Sequence, residues 1–208
     1  MKDRTRAKEL AKTDPIGWFE KLYQEGIDNI PWANLQPNPN LLSWWTKDTF
    51  RPAGLDALVV GCGLGDDAEQ LAAWGFRVTA FDVSPTAIEK AKARFPQSTV
   101  HYQQADLFQS QVLGQFDFVF EAYTVQALPV EFRESALLAV ADKVRKNGHL
   151  LLIARGRNDD DPLGEMPWPL SRKDLSALTL KVVSFEDYVE HDTEDIPIRR
   201  FRVLYNKI

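Results

Sequence analysis

The chain has 208 residues, 44% hydrophobic and 26% charged, which suits one soluble domain with an ample core and excludes a disordered chain. Its formal charge of -5 argues against a surface that tracks nucleic-acid phosphates, which needs clustered Lys and Arg. No apolar run approaches a membrane span, the opening MKDRTRAKELAK is too polar for a signal peptide, and a single cysteine excludes an internal disulfide framework, so a reducing, cytoplasmic setting is expected.

Residues 1 to about 12 are charged and read as an arm or the start of a helix. Asp14-Pro15 is a helix start, and Ile16 to Gly26 then places Phe19, Leu22 and Tyr23 on one face. A loop with Pro31, Pro37 and Pro39 follows, leading into a short helix from about Asn40. Trp18, Trp32, Trp44 and Trp45 all fall in this N-terminal segment. Trp44 and Trp45 read as core anchors. For Trp18 and Trp32 a core role and a lid role stand equal, because an aromatic face attracts a cation.

The stretch from Ala57 to Ser84 organises the rest. Ala57 to Val60 has the composition of a buried parallel strand and ends in Gly61-Cys62-Gly63-Leu64-Gly65. Asp66 and Asp67 are expected to supply the N-cap and first-turn acids of a helix through about Trp74. A second strand from Arg77 to Val83 ends at Asp82 and meets Ser84-Pro85, a further helix start. Glycines let a ligand approach the backbone, and an acid about 20 residues on can accept from both hydroxyls of a ribose. The unit therefore reads as a site for an adenosine cofactor. Its GxGxG spacing differs from the GxGxxG of dinucleotide binders, and two acids beside a helix N-terminus would repel a pyrophosphate. S-adenosylmethionine (SAM) carries no phosphate and bears a positive sulfonium, so it suits this loop. Cys62 reads as a small packing residue within the loop rather than a nucleophile.

Beyond this unit the pattern predicts a helix over 85–95, a strand over 100–104 and a strand over 116–121. A helix from about Pro129 to Arg145 closes at Asn147-Gly148, and a strand runs from there to Arg155. The polar loop RGRNDDDPLGEMPWP is long enough to imply function, and Arg155 and Arg157 are expected to pair with Asp159 to Asp161 rather than with an acceptor. Ser171 caps a short helix, and two adjacent strands, 180–190 and 198–205, read as an antiparallel pair. His101, His149 and His191 are scattered and show no metal-ligand spacing. The fold class is thus α/β, a Rossmann-like seven-stranded sheet with helices on both faces, forming a single domain over 1–208 with an aromatic lid segment at 1–50. Gly61 to Gly65, Asp82, Asp106 and Glu121 all fall at the carboxyl ends of predicted strands, where such sheets bind ligands.

This arrangement resembles the class I SAM-dependent methyltransferases, and within them the thiopurine and halide/thiol methyltransferase group. The residues that carry the resemblance are Trp18 to Gly26 with Pro31-Trp32, similar to that group's WxKxWxxGxxPWD, and FDFVFEAYTVQALP, similar to its FDxIxDYTxxxAxxP. Tyr23 stands where a second tryptophan is usual, and Glu121 replaces an aspartate. The resemblance implies methyl transfer from SAM to a small-molecule acceptor, without nucleic-acid or membrane partners. It implies that Trp18, Tyr23 and Trp32 cover the cofactor. Gly61, Cys62 and Gly63 would meet its methionine end, Asp82 and Val83 the ribose, and Asp106 with the Leu107 N–H the adenine. Glu121 would face the sulfonium, and Tyr123 would serve as the catalytic group at the methyl. No metal is implied.

Overall fold

The computed structural model describes residues 5–14, 17–45, 52, 54–164, 166–191 and 197–208. Seven strands form one mixed sheet: β1 (Asp56–Val60), β2 (Arg77–Asp82), β3 (His101–Gln104), β4 (Phe116–Ala122), β5 (Val144–Arg155), β6 (Lys181–His191) and β7 (Pro197–Asn206). Their order is β3-β2-β1-β4-β5-β7-β6, and the final pair is antiparallel, as the sequence predicts. The chain divides into two compact units, Met1–Asp106 and Leu107–Ile208, which are taken separately below. Among the described residues, no helix is long and apolar enough to cross a membrane.

In the first unit, β1 pairs in parallel with β2, and β2 with β3. Ala57 to Val60 are all buried, which is why the strand reads as a continuous apolar run. Helices α4 (Asp66–Ala73) and α5 (Pro85–Arg94) follow β1 and β2. Ala68 and Leu71 of α4, and Ala87, Ile88 and Ala91 of α5, are the buried faces. Before the sheet come α1 (Thr5–Thr13), α2 (Trp18–Gln24) and α3 (Pro39–Trp45). Asp14 caps the turn into α2 by accepting the Gly17 N–H at 2.8 Å; Pro15 and Ile16, the expected first helical residues, lie outside the described residues. Trp44 is buried, while Trp45 stacks on Trp74 with ring centroids 4.1 Å apart and planes 6° from parallel.

In the second unit, β4 and β5 are parallel and β5 pairs antiparallel with β7. Helix α6 (Val130–Asp142) buries Ala136, Leu137, Val140 and Ala141. Here the expected helix end is wrong: α6 stops at Asp142, and Val144 is already in β5, paired with Phe116. Arg145, Lys146, Asn147 and Gly148 lie within an irregularity of that strand, where the register jumps between Phe116 and Phe118 and Asn147 takes a φ of 63°. Tertiary pairing thus overrides a sequence ending that looks like a basic last turn followed by a glycine cap. A short helix, α7 (Arg172–Leu175), opens on a capping box in which the Ser171 hydroxyl and the Asp174 carboxylate each hold the other's backbone N–H.

Candidate functional site

The glycine turn after β1 is built from three left-handed residues, with φ of 60° at Gly61, 52° at Gly63 and 91° at Gly65. Only glycine adopts these angles without a steric cost. The turn is held by Asp82 at the tip of β2. Its Oδ2 accepts the Gly63 N–H at 2.9 Å, and its Oδ1 accepts the Ser84 N–H at 3.0 Å. Asp82 is buried, and that burial pushes its pKa up, against the lowering effect of the Ser84 and Gly63 N–H groups. A carboxylate has about four acceptor positions, so each oxygen keeps capacity for a hydroxyl. Val83 beside it is exposed.

The two aspartates after the turn are first-turn acids as the sequence predicts, but neither is the N-cap. Gly65 is the N-cap residue, and both aspartates lie in the first turn of α4. Asp66 is clamped by both terminal nitrogens of Arg94 at 2.7 Å, which neutralises it. Asp67 accepts the Asn38 N–H at 2.7 Å, and burial raises its pKa to about 6. The electrostatic case against a pyrophosphate therefore rests on Asp67, since Asp66 is already paired. Gly65 leaves no room for a side chain, because the Tyr102 ring and hydroxyl pack where its Cβ would stand. Burial, and then the nearby Asp82 charge, push the Cys62 thiol pKa well up, so it stays protonated and fills space.

The N-terminal aromatics come to this turn. A Cβ on Gly63 would lie 2.8 Å from the Tyr23 hydroxyl, so Tyr23 stands directly against the loop. Trp32 Nε1 donates to that hydroxyl at 3.3 Å, and the Trp32 ring meets Trp18 edge-on at 5.6 Å. Trp18 is buried and stacks on Phe19, whereas Trp32 is 43% exposed. The Trp18 indole N–H is buried and has no partner among the described residues. The residues of this unit thus suit SAM: glycines whose missing Cβ atoms let a ligand approach, an acid with acceptor capacity for a ribose, and an aromatic cluster against the turn. Asp106 lies past the end of β3 and closes this unit.

Leu107, Glu121 and Tyr123 belong to the second unit. Leu107 is buried at the start of a 3-10 turn, Leu107–Leu113. Glu121 is buried near the end of β4; its Oε1 accepts the Thr124 and Val125 N–H groups at 2.8 and 3.0 Å, while Oε2 has no partner among the described residues. Burial raises its pKa to about 7, although those two N–H groups pull it down. Tyr123 follows with a φ of 65°, rare for a bulky residue and a mark of local strain. Arg200 packs over its ring at 5.1 Å and is held by Glu190 at 2.5 Å. Gln126 is buried, with Oε1 accepting the Arg155 N–H at 2.7 Å and Nε2 without a partner among the described residues. Sequence reasoning missed Gln126 and Arg200, whose only signals were a polar residue in an apolar turn and an arginine pair in a strand.

Arg157 corrects another expectation. It does not pair with the carboxylates of Asp159 to Asp161. It donates instead to the carbonyls of Asn158, Asp159, Asp161 and Pro169 and to the Asp174 carboxylate, organising the loop from within. Glu165 of that loop lies outside the described residues.

The Glu121 environment has a pH consequence. A carboxyl whose folded pKa is above its unfolded value stabilises the fold fully below about pH 4.5 and loses that contribution as pH rises to about 7. The loss is on the order of 3 kcal/mol. Glu121→Gln keeps an acceptor oxygen but cannot ionise, so it should equal wild type near pH 4.5 and exceed it in stability by about 2–3 kcal/mol at pH 8. Denaturant melts at the two pH values measure this, and an unchanged gap would show that Glu121 is solvated.

Comparison with known proteins agrees with this architecture. Residues 57–148, which include the glycine turn, β2 and β4, match the family model described as a methyltransferase domain. Thiocyanate methyltransferase 1 of Brassica oleracea is 28% identical over 189 residues, 87% of this chain and 81% of that protein. The 2-heptyl-1-hydroxyquinolin-4(1H)-one methyltransferase of Mycobacteroides abscessus is 25% identical over 161 residues, 76% of this chain and 70% of that protein. In fold, the structure solved in work on converting a disulfide bond into a thioacetal group during echinomycin biosynthesis superposes with a TM-score of 0.75 at 17% identity, covering 92% of this chain and 91% of that one. With the glycine turn, the acid at the tip of β2 and the seven-stranded sheet in place, the chain resembles the class I SAM-dependent methyltransferases, and among them the thiol and thiocyanate methyltransferases.

Proposed function

We propose that the chain methylates a small-molecule acceptor with a soft nucleophilic atom: a thiol, a thiopurine, or a halide or metalloid anion. The observation that carries this reading is the similarity to a thiocyanate methyltransferase over most of both chains. Trp18, Tyr23, Trp32, Gly61, Cys62, Gly63, Asp82, Val83 and Asp106 would hold the cofactor in the first unit. When bound, SAM supplies a methyl group already activated on a sulfonium. Asp82 would fix the ribose, and the aromatic cluster would shield the site from water and favour the positive charge. Displacement at a methyl carbon needs an acceptor in line and little else, so positioning supplies much of the acceleration. No Ser/His/Asp set is required.

In the second unit, Tyr123 is assigned the role of orienting the acceptor. Its strained backbone and the cation packed on its ring support that assignment, because strain of this kind collects at functional positions. Tyr123→Phe removes only the hydroxyl and should lower kcat with the true acceptor by about tenfold to a hundredfold, leaving SAM affinity unchanged. Full turnover in that variant would make Tyr123 a packing residue.

The test of the function itself is methyl transfer from labelled SAM to iodide, bisulfide, thiocyanate and small aromatic thiols. Turnover of at least one is expected. A second reading, an oxygen acceptor, is favoured by the similarity to the hydroxyquinolone methyltransferase. Hydroxylated aromatics in the same assay separate the two, and turnover of those alone would replace the first reading. A retained cofactor with no transfer to any acceptor would point to a SAM-binding regulator instead.

A further inference from the structure

A closed circuit of contacts surrounds the cofactor turn in the first unit. Gly63 and Ser84 both donate their N–H groups to Asp82. The Ser84 hydroxyl donates to Glu20 Oε2 at 2.5 Å, and the Thr86 hydroxyl donates to Glu20 Oε1 at 2.6 Å. The Thr86 N–H reaches Oε2 at 3.3 Å, and Gln24 Nε2 reaches Oε1 at 2.7 Å. Glu20 lies on α2 between Trp18 and Tyr23, and the Tyr23 hydroxyl returns the circuit to Gly63. Lys90 of α5 makes a second tie by donating to the Tyr23 carbonyl at 2.6 Å.

A charged side chain is a costly way to hold two helices together, since apolar packing would do so without desolvation. Here four donors converge on one carboxylate, at the N-terminal end of α5, where a negative charge is favoured. Burial raises the Glu20 pKa, but the Ser84 and Thr86 hydrogen bonds outweigh it and hold the group below its usual value, as the anion. Hydrogen bonds to hydroxyls at a half-buried position can also break and re-form at modest cost, which packed apolar surface does less readily. The tie starts two residues from the ribose acid and ends on the helix that carries the aromatic cover.

We propose that Glu20 is a positioning residue for the cofactor, a latch that keeps α2 closed over the Gly61–Gly65 turn. Bound SAM then leaves when the bonds to Ser84 and Thr86 release. The proposal rests on the SAM reading of the turn and adds to it the device that governs exchange.

The experiment is a chase. Labelled SAM bound to wild type, Glu20→Ala, Glu20→Gln and Thr86→Val is followed after addition of excess unlabelled SAM, and thermal midpoints are recorded alongside. Glu20→Ala should release SAM at least tenfold faster, Glu20→Gln and Thr86→Val severalfold faster. Glu20→Ala combined with Thr86→Val should be no faster than Glu20→Ala alone, because both cut the same tie. Should Glu20→Ala fail to fold, the near-isosteric Thr86→Val carries the test. Lowered midpoints with wild-type release rates would overturn the latch and leave Glu20 a structural residue. If wild type binds no SAM, the reading of the turn falls and the latch with it; if it binds SAM and every variant releases at the wild-type rate, only the latch falls.

Discussion

Asp82→Ala should raise the dissociation constant of SAM at least a hundredfold and destabilise the protein at the same time. The carboxylate has two tasks. It closes the glycine turn by accepting the Gly63 and Ser84 N–H groups, and both donors lose that partner in the variant. Leaving a buried donor unmade costs about 1–3 kcal/mol, so the loss of stability should be about 2–4 kcal/mol. Its remaining acceptor capacity would take the ribose hydroxyls, and charged hydrogen bonds are worth about 1.5–3 kcal/mol each. Two of them convert to at least a hundredfold in affinity. Asp82→Asn should be nearly as damaging for binding, because its amide must turn an N–H toward one of the two backbone donors. Calorimetric titration and thermal melts measure both effects. A change of less than fivefold in affinity would show that the ribose lies elsewhere.

Gly63→Ala is the second large effect. An alanine at a φ of 52° costs roughly 1–2 kcal/mol in backbone alone. Its methyl would also lie 2.8 Å from the Tyr23 hydroxyl, a distance that forces one of the two to move. The expected result is a loss of SAM affinity of at least tenfold with an opened aromatic segment. Tyr23→Phe in the same chain removes the clashing oxygen, leaving the ring carbon 3.9 Å away at ordinary contact distance. The double variant should therefore recover part of the lost affinity, while the backbone cost remains. If Tyr23→Phe brings no recovery, the tyrosine does not stand against the loop when the cofactor binds.

Most of the fold is legible because its signals are local. The Ala57–Val60 run, the three glycines and the acid at the tip of β2 lie within one βαβ unit, and each says what its own backbone must do. Ser84-Pro85 marks a helix start for the same reason. What could not be read depends on pairs distant in sequence. Asp66 looks like a charge facing a ligand until Arg94 closes on it from α5. Glu20 looks like one more exposed acid on α2 until the hydroxyls of Ser84 and Thr86 converge on it. The end of α6 misleads for a related reason: Val144-Arg145-Lys146 carries a plausible helix ending, and only its partner strand makes it a strand. The acceptor is the least legible feature, because no motif in the chain names it, and the neighbours of Tyr123, such as Arg200, are brought to it only by tertiary packing.

The Gly61–Gly65 turn and Asp82 are proposed to hold SAM rather than a dinucleotide. Calorimetric titration of the purified chain with SAM, S-adenosylhomocysteine and NAD tests it most directly. Saturable binding of the first two, lost in Asp82→Ala, is expected, with no binding heat for NAD. Tight NAD binding without SAM binding would contradict it.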